Sequence, residues 1–209
     1  MVKNDIVEKL QLNNPKIFFG SFQRENLSYQ VAEVQDKINY LIKLLKQYQG
    51  SSIVYCKSRK RTKEIADLLQ QFHFKADYYH AGLTQDQRNN KQQSWITDQI
   101  DTIVCTNAFG MGIDKPAVRL VVHMDVPDCL ENYYQEAGRA GRDGKYAAAV
   151  LLYRNQELED LKPNLPDGYH LILLGNKSDG NSADAWNDKF NHTSDWLRIS
   201  AKERTGLDE

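Results

Sequence analysis

The sequence predicts an α/β fold built on a parallel sheet with helices on both faces. Three observations carry that expectation. Short β-rich runs such as SSIVYC (51–56), DTIVCT (101–106) and YAAAVLLY (146–153) are apolar throughout, as strands buried on both faces are. Longer helical patterns separate most of them, the rhythm of βαβ units. The glycine-bearing and basic loops fall where strands end, which is where open parallel sheets place their ligand sites.

In chain order, Asn26 to Val34 reads as a strand. Asp36 to Tyr48 reads as a helix with Ile38, Leu41, Ile42 and Leu45 on one face. After SSIVYC, Ser58 is placed to cap a helix carrying Ile65, Ala66, Leu68 and Leu69. KADYYH (75–80) is a strand, Thr84 to Trp95 a helix, DTIVCT a strand, and RLVVHM (119–124) another. Cys129 to Ala137 forms a helix, YAAAVLLY closes the series, and Gln156 to Leu161 starts one more helix. Beyond Lys162 the chain is rich in Asn, Asp, Ser and Gly, and HLILL is its one apolar run. That composition predicts a weakly ordered tail with a single strand.

The bulk numbers narrow the class. A chain of 209 residues with 41% hydrophobic content supports one substantial core. Lys plus Arg is 27 and Asp plus Glu 28, so no bulk basic field exists and any anion site is local. Residues 163–209 hold 5 basic and 8 acidic side chains, which leaves residues 1–162 slightly basic. The three cysteines, Cys56, Cys105 and Cys129, have no zinc-ligand spacing and fit a reducing compartment. No apolar run spans a membrane and no signal segment opens the chain, so the expectation is a cytoplasmic protein without a membrane partner.

Four loops carry the chemistry. In CTNAFGMGIDKP (105–116), Gly110 and Gly112 allow a sharp turn with outward amides, Thr106 and Asn107 add donors, and Asp114 can accept from a ribose hydroxyl. An ordinary strand-to-helix turn with a capping Asp has the same residues. In YYQEAGRAGRDGK (133–145), glycines hold Arg139 and Arg142 on a loop. Two such guanidiniums suit the charge of a transferring phosphoryl group, and a solvated basic turn is the alternative. CKSRKR (56–61) gathers Lys57, Arg59, Lys60 and Arg61 at a helix start, where Ser58 and free amides can also meet a phosphate. YHAGLT (79–84) sets His80 near Gly82, and His80 is assigned no acid–base role. No GxxxxGK[ST] phosphate loop and no Asp-Glu pair at a strand end occurs, so an NTPase's phosphate cradle and magnesium ligands are missing.

Together these loops resemble the second RecA-like motor lobe of superfamily 2 helicases, specifically of the RecQ DNA helicases. SIVYCKSRKRTKEIADLL resembles motif IV, TIVCTNAFGMGIDKPAVRLVVHMDVP motif V and YYQEAGRAGRDG motif VI, with YYHAGLTQDQR lying between the first two. The resemblance runs from about Ser21, where SFQRENLSYQV looks like the linker into this lobe, to about Lys162. It implies a three-layer fold of the P-loop NTPase type, with residues 1–26 as linker, 27–162 as the lobe and 163–209 as a divergent tail. Arg142 would then be the arginine finger reaching the γ-phosphate of ATP on a first lobe, with Arg139 beside it. Gly112 and Asp114 would meet the nucleotide's sugar side, and Gln135 would couple motif VI to the nucleotide state. Ser58, Arg59, His80, Gly82 and Thr106 would line the track for the phosphates of single-stranded DNA.

The resemblance further implies 3′ to 5′ stepping at duplex junctions, roles in DNA repair and recombination, and ATP and magnesium held mainly by the first lobe in cis or trans. A bacterial cytoplasm or nucleoid fits that setting. The chain is expected to be a fragment, inactive alone as an ATPase, with both arginines solvated and idle. The zinc module that follows in many RecQ proteins has no counterpart, because the tail lacks cysteine, and PNLPDGYHL suggests a change of reading frame near Lys162. A free-standing DNA-binding or regulatory fragment and an RNA helicase lobe of the same superfamily are the alternatives.

Overall fold

A computed structural model describes residues 2–13, 15–16, 24–110, 113–157, 171–172 and 197–198. Its centre is a six-stranded sheet in the order β1-β6-β5-β2-β4-β3, and every neighbouring pair in it is parallel. The strands are β1 (Leu27–Glu33), β2 (Ser51–Tyr55), β3 (Ala76–Tyr79), β4 (Thr102–Cys105), β5 (Val118–His123) and β6 (Ala147–Tyr153). The helices are α1 (Val2–Lys9), α2 (Lys37–Gln47), α3 (Arg59–Gln71), α4 (Gln85–Ile96) and α5 (Leu130–Ala137). The α/β expectation holds.

The period-2 alternation of the strands explains the layering. Val54, Val104, Leu120, Val122 and Val150 face one way and pack with Leu41 and Leu45 of α2 and with Ile65, Ala66 and Leu69 of α3. Ile53, Ile103, Val121 and Ala149 face the other way, with Trp95 of α4 and Tyr133 and Ala137 of α5. Trp95 is 1% exposed, contacts the Phe109 ring edge-on at 5.3 Å, and donates its indole N–H to the Ser52 carbonyl. Helices therefore cover both faces, and β2, β4 and β6 are buried on both sides, while the edge strand β1 carries Ser28 and Gln30 on one side.

Local chemistry sets the helix starts. Asp36 caps α2, accepting from the amides of Ile38 and Asn39 at 3.1 and 3.0 Å. Thr84 and Gln87 form a reciprocal capping box on α4, at 3.2 and 3.0 Å. Thr84→Ala is expected to cost about 1 kcal/mol of stability in urea unfolding, because it leaves an amide of the first turn unmet.

The structure departs from the sequence reading in several places. Helix α1 lies within the segment read as linker. Of the helix predicted over 156–161, one turn at residues 155–157 is described and the rest lies outside the described residues. In the tail, HLILL supplies β7 (Leu171–Ile172), which pairs in parallel with β8 (Leu197–Arg198), a strand the sequence reading did not foresee.

The connections after β2 and β5 leave in opposite directions across the sheet. Such a switch point opens a crevice at the carboxyl ends of the two strands. The loops after β2 and β4 border it, whereas the arginine loop between α5 and β6 lies at the opposite edge of the sheet, against the amino ends of β5 and β1.

Candidate functional site

Helix α5 ends at Gly138, whose amide bonds to the Tyr134 carbonyl at 2.9 Å. The chain then enters the arginine loop. Arg139 turns back over the motif V segment and donates from Nη1 to the Gly110 carbonyl at 2.6 Å. Gly110 has φ +129°, and a Cβ there would lie 2.2 Å from the Arg139 guanidinium carbon. Only glycine leaves room for that guanidinium.

Arg142 donates from Nη1 to the Asp114 carboxylate at 2.9 Å and from Nε to the Gly138 carbonyl at 3.3 Å. The side chains of Arg142 and Asp114 are 40% and 69% exposed, so this ion pair contributes at most about 1 kcal/mol. The expectation that both arginines are solvated is corrected for Arg139, which is half-buried on the Gly110 carbonyl; Arg142 is exposed, as expected, but ion-paired. Gln135 is exposed on α5, one turn before Arg139, and Gly112 lies outside the described residues.

The residues expected along a nucleic-acid track fall into two groups. Ser58 caps α3 by accepting from the Arg61 amide at 3.4 Å, and Arg59 follows it, exposed. The His80 Nδ1 accepts from the Gly82 amide at 3.1 Å. Both His80 and the Arg59 guanidinium crowd Gly82, at 3.2 and 3.3 Å from where its Cβ would stand. Ser58, Arg59, His80 and Gly82 thus gather at the carboxyl ends of β2 and β3. Burial lowers the His80 pKa, with Arg59 and Lys91 adding to the shift. A neutral His80 offers an N–H to a phosphate rather than a charge. Thr106 lies between the ends of β2 and β3, at the end of β4, its amide bonded to the Tyr79 carbonyl at 3.2 Å, but it is buried: it is 7% exposed, and its hydroxyl accepts from the Ala108 amide at 3.4 Å.

The basic cluster is less basic than its composition. Lys57 pairs with Asp128 at 2.6 Å, Arg61 with Asp125 at 2.6 Å and Lys60 with Glu64 at 3.6 Å. Arg59 is the member of CKSRKR whose guanidinium makes no ion pair among the described residues.

Sequence reasoning missed a buried polar pair at the switch point. His123, 1% exposed at the end of β5, meets Glu136 of α5 through Nε2 at 2.8 Å. It lies between the rings of Tyr55 and Tyr133, at 5.2 and 4.9 Å. Together with Lys57, Asn107 and Asn132, the pair borders a cavity of about 180 Å³. A histidine closing an apolar strand was the available signal. Among the described residues, no group of three or more His, Cys, Asp or Glu is arranged to hold a metal ion.

Comparison with known proteins agrees with this arrangement. The model of the helicase conserved C-terminal domain matches residues 36–144. The RecQ-like DNA helicase blm-1 of Caenorhabditis elegans is 41% identical over 170 residues, covering 80% of this chain and 17% of that protein. The ATP-dependent DNA helicase RecQ of Pasteurella multocida is 43% identical over 152 residues, covering 72% and 24%. The chain therefore spans less than a third of the length of either relative. Among solved structures, a DEAD-box protein of Methanococcus jannaschii is 29% identical with a TM-score of 0.59, covering 66% of this chain and 39% of that one. The E. coli DEAD-box protein SrmB is 25% identical with a TM-score of 0.58, covering 70% and 88%. The six-stranded sheet is the RecA-like fold of these helicases, and no helix among the described residues is long and apolar enough to cross a membrane. The chain belongs to the helicase conserved C-terminal domain family, in which it is a RecQ-type lobe of superfamily 2.

Proposed function

We propose that the chain acts as the second motor lobe of a 3′ to 5′ RecQ-like DNA helicase. In this role it supplies an arginine finger to ATP held by a first lobe, together with part of the single-stranded DNA track. One observation carries the reading: Arg142 and Asp114 stand exposed side by side, held by a loop whose other arginine is fixed to Gly110. A guanidinium held by an exposed carboxylate and one long bond to the Gly138 carbonyl is ready to exchange the carboxylate for a phosphate at little cost. Gln135 and Gly112 are assigned to the same nucleotide contact. ATP, when bound, supplies the phosphoryl group to be transferred, and magnesium is assigned to the first lobe's ligands. Arg139 fixes the loop, and Arg142 offers its two outer nitrogens to developing negative charge. Ser58, Arg59, His80, Gly82 and Thr106 are assigned to the DNA track, with Thr106 contributing from behind through its end of β4.

The purified chain mixed with an isolated first lobe of a RecQ helicase is expected to restore DNA-stimulated ATP hydrolysis. No restoration over the chain alone would overturn the motor reading. A second reading, a free-standing regulatory fragment that binds DNA, is favoured by the unpaired Arg59 beside His80, since that grip lies wholly within this chain. Binding to single strands should then weaken with salt, and Arg59→Ala should lower the slope of log K against log salt by about 0.7. Matched DNA and RNA oligonucleotides test the remaining alternative, an RNA helicase lobe, which the likeness to DEAD-box folds keeps in view. Tighter RNA binding would favour it.

A further inference from the structure

The arginine loop is held from a second direction, by the segment that leads into β1. Arg24 donates from Nη1 to the Gly138 carbonyl at 3.1 Å and from Nη2 to the Gly141 carbonyl. Asn26 donates from Nδ2 to the Gly141 carbonyl at 2.7 Å and to the Lys145 carbonyl at 2.9 Å. The Asn26 carbonyl in turn accepts from the Ala147 amide at 2.9 Å. Two side chains, more than a hundred residues away in sequence, thus grip three carbonyls that bracket Arg139 and Arg142.

Gly141 is the pivot. Its carbonyl takes three donors, Arg24 Nη2, Asn26 Nδ2 and the Gly144 amide at 3.1 Å, while its own amide bonds to the Val118 carbonyl at 2.8 Å. Its φ is +61°, and a Cβ there would lie 2.7 Å from Asn26 Nδ2. The opposite side of the loop is fixed by Arg119, which meets Asp143 at 2.6 Å and the Tyr146 carbonyl at 3.0 Å. Those contacts hold its far end. The carbonyls next to the arginines themselves answer to Arg24 and Asn26.

We infer that Arg24 and Asn26 are positioning residues that register the entering segment against the arginine loop, so that movement of that segment moves Arg142. The inference rests on the two-lobe reading only for its source of movement. A donor on a backbone carbonyl carries no substrate specificity, so its effect falls on the placement of the finger. Placement errors of about 1 Å are enough to cost a reaction up to about 100-fold.

The test uses three variants of the whole chain, Asn26→Asp, Arg24→Lys and Arg24→Ala. Asn26→Asp keeps the shape but sets an acceptor against two carbonyls, and Arg24→Lys keeps the charge but loses the two-pronged fork. In hydrogen–deuterium exchange on the chain alone, the amides of residues 138–145 should exchange about tenfold faster in Asn26→Asp, with those of β2 and β5 unchanged. Arg24→Lys should give a smaller rise, and Arg24→Ala a larger one. Unchanged exchange in all three overturns the inference whatever the first lobe does. In the ATPase reconstituted with a first lobe, kcat should fall at least about tenfold with KM for ATP held, and Arg24→Lys should recover part of the loss relative to Arg24→Ala. Equal kcat in Asn26→Asp and wild type overturns the positioning role. If the wild-type chain itself fails to reconstitute, the motor reading falls, and the exchange experiment still decides the contact.

Discussion

Arg142→Ala should lower kcat of the reconstituted ATPase by about 10³-fold or more, the scale on which an arginine finger acts. The same substitution should leave the chain's thermal midpoint almost unmoved. Its ion pair to Asp114 is exposed, and its other bond, to the Gly138 carbonyl, is long at 3.3 Å, so the folded state loses little. That split between chemistry and stability is the signature. Arg142→Lys keeps the charge without the planar fork and should fall between the two. Activity within about threefold of wild type in Arg142→Ala would remove the finger from this residue, since even one preorganised donor is worth more than that. Steady-state ATP hydrolysis and thermal unfolding on the same preparations provide both readouts.

Gly110→Ala is the second large effect, and it acts in the opposite way, through the fold. The backbone at φ +129° disfavours any side chain, at a cost of about 1–3 kcal/mol. A Cβ would also fall 2.2 to 2.6 Å from three atoms of the Arg139 guanidinium, so the arginine must leave its carbonyl. The variant should lose stability and, with the loop displaced, most of its reconstituted activity. Adding Arg139→Ala removes the collision but not the backbone strain. The double variant should therefore be more stable than the sum of the single changes implies, by about 1 kcal/mol or more in a double-mutant cycle. Simple additivity would mean that Arg139 does not occupy the space above Gly110.

Much of the fold was legible because its signals are local. Apolar runs such as SSIVYC and DTIVCT announced strands buried on both faces, and β2 and β4 are interior strands of the sheet with every residue buried. Thr84 and Asp36 announced helix starts that the structure confirms with cap hydrogen bonds. Strand order, by contrast, is a property of pairs distant in sequence. Nothing within YAAAVLLY says that it lies between β1 and β5.

The candidate site divided along the same line. Four residues assigned to the DNA track came together because each sits at the carboxyl end of a strand or the start of a helix, positions that local patterns fix. The partners of the arginines did not follow from sequence. Arg139 finds Gly110, and Arg24 finds Gly138, only through the sheet. The pairing of Lys57 and Arg61 with Asp128 and Asp125 likewise depends on β2 lying beside β5. CKSRKR therefore overstated the charge available at its own helix start.

That neutralisation bears on how long a strand would stay. With Arg61 held by the mostly buried Asp125 and His80 neutral, a phosphate backbone meets Arg59, Lys63 and two lysines, Lys57 and Lys60, each already drawn toward an exposed carboxylate. Fewer released counterions mean weaker holding and a faster off-rate. Under the proposed motor role, a lobe that lets go of its substrate at every step is served by a short dwell time, and these ion pairs would shorten it.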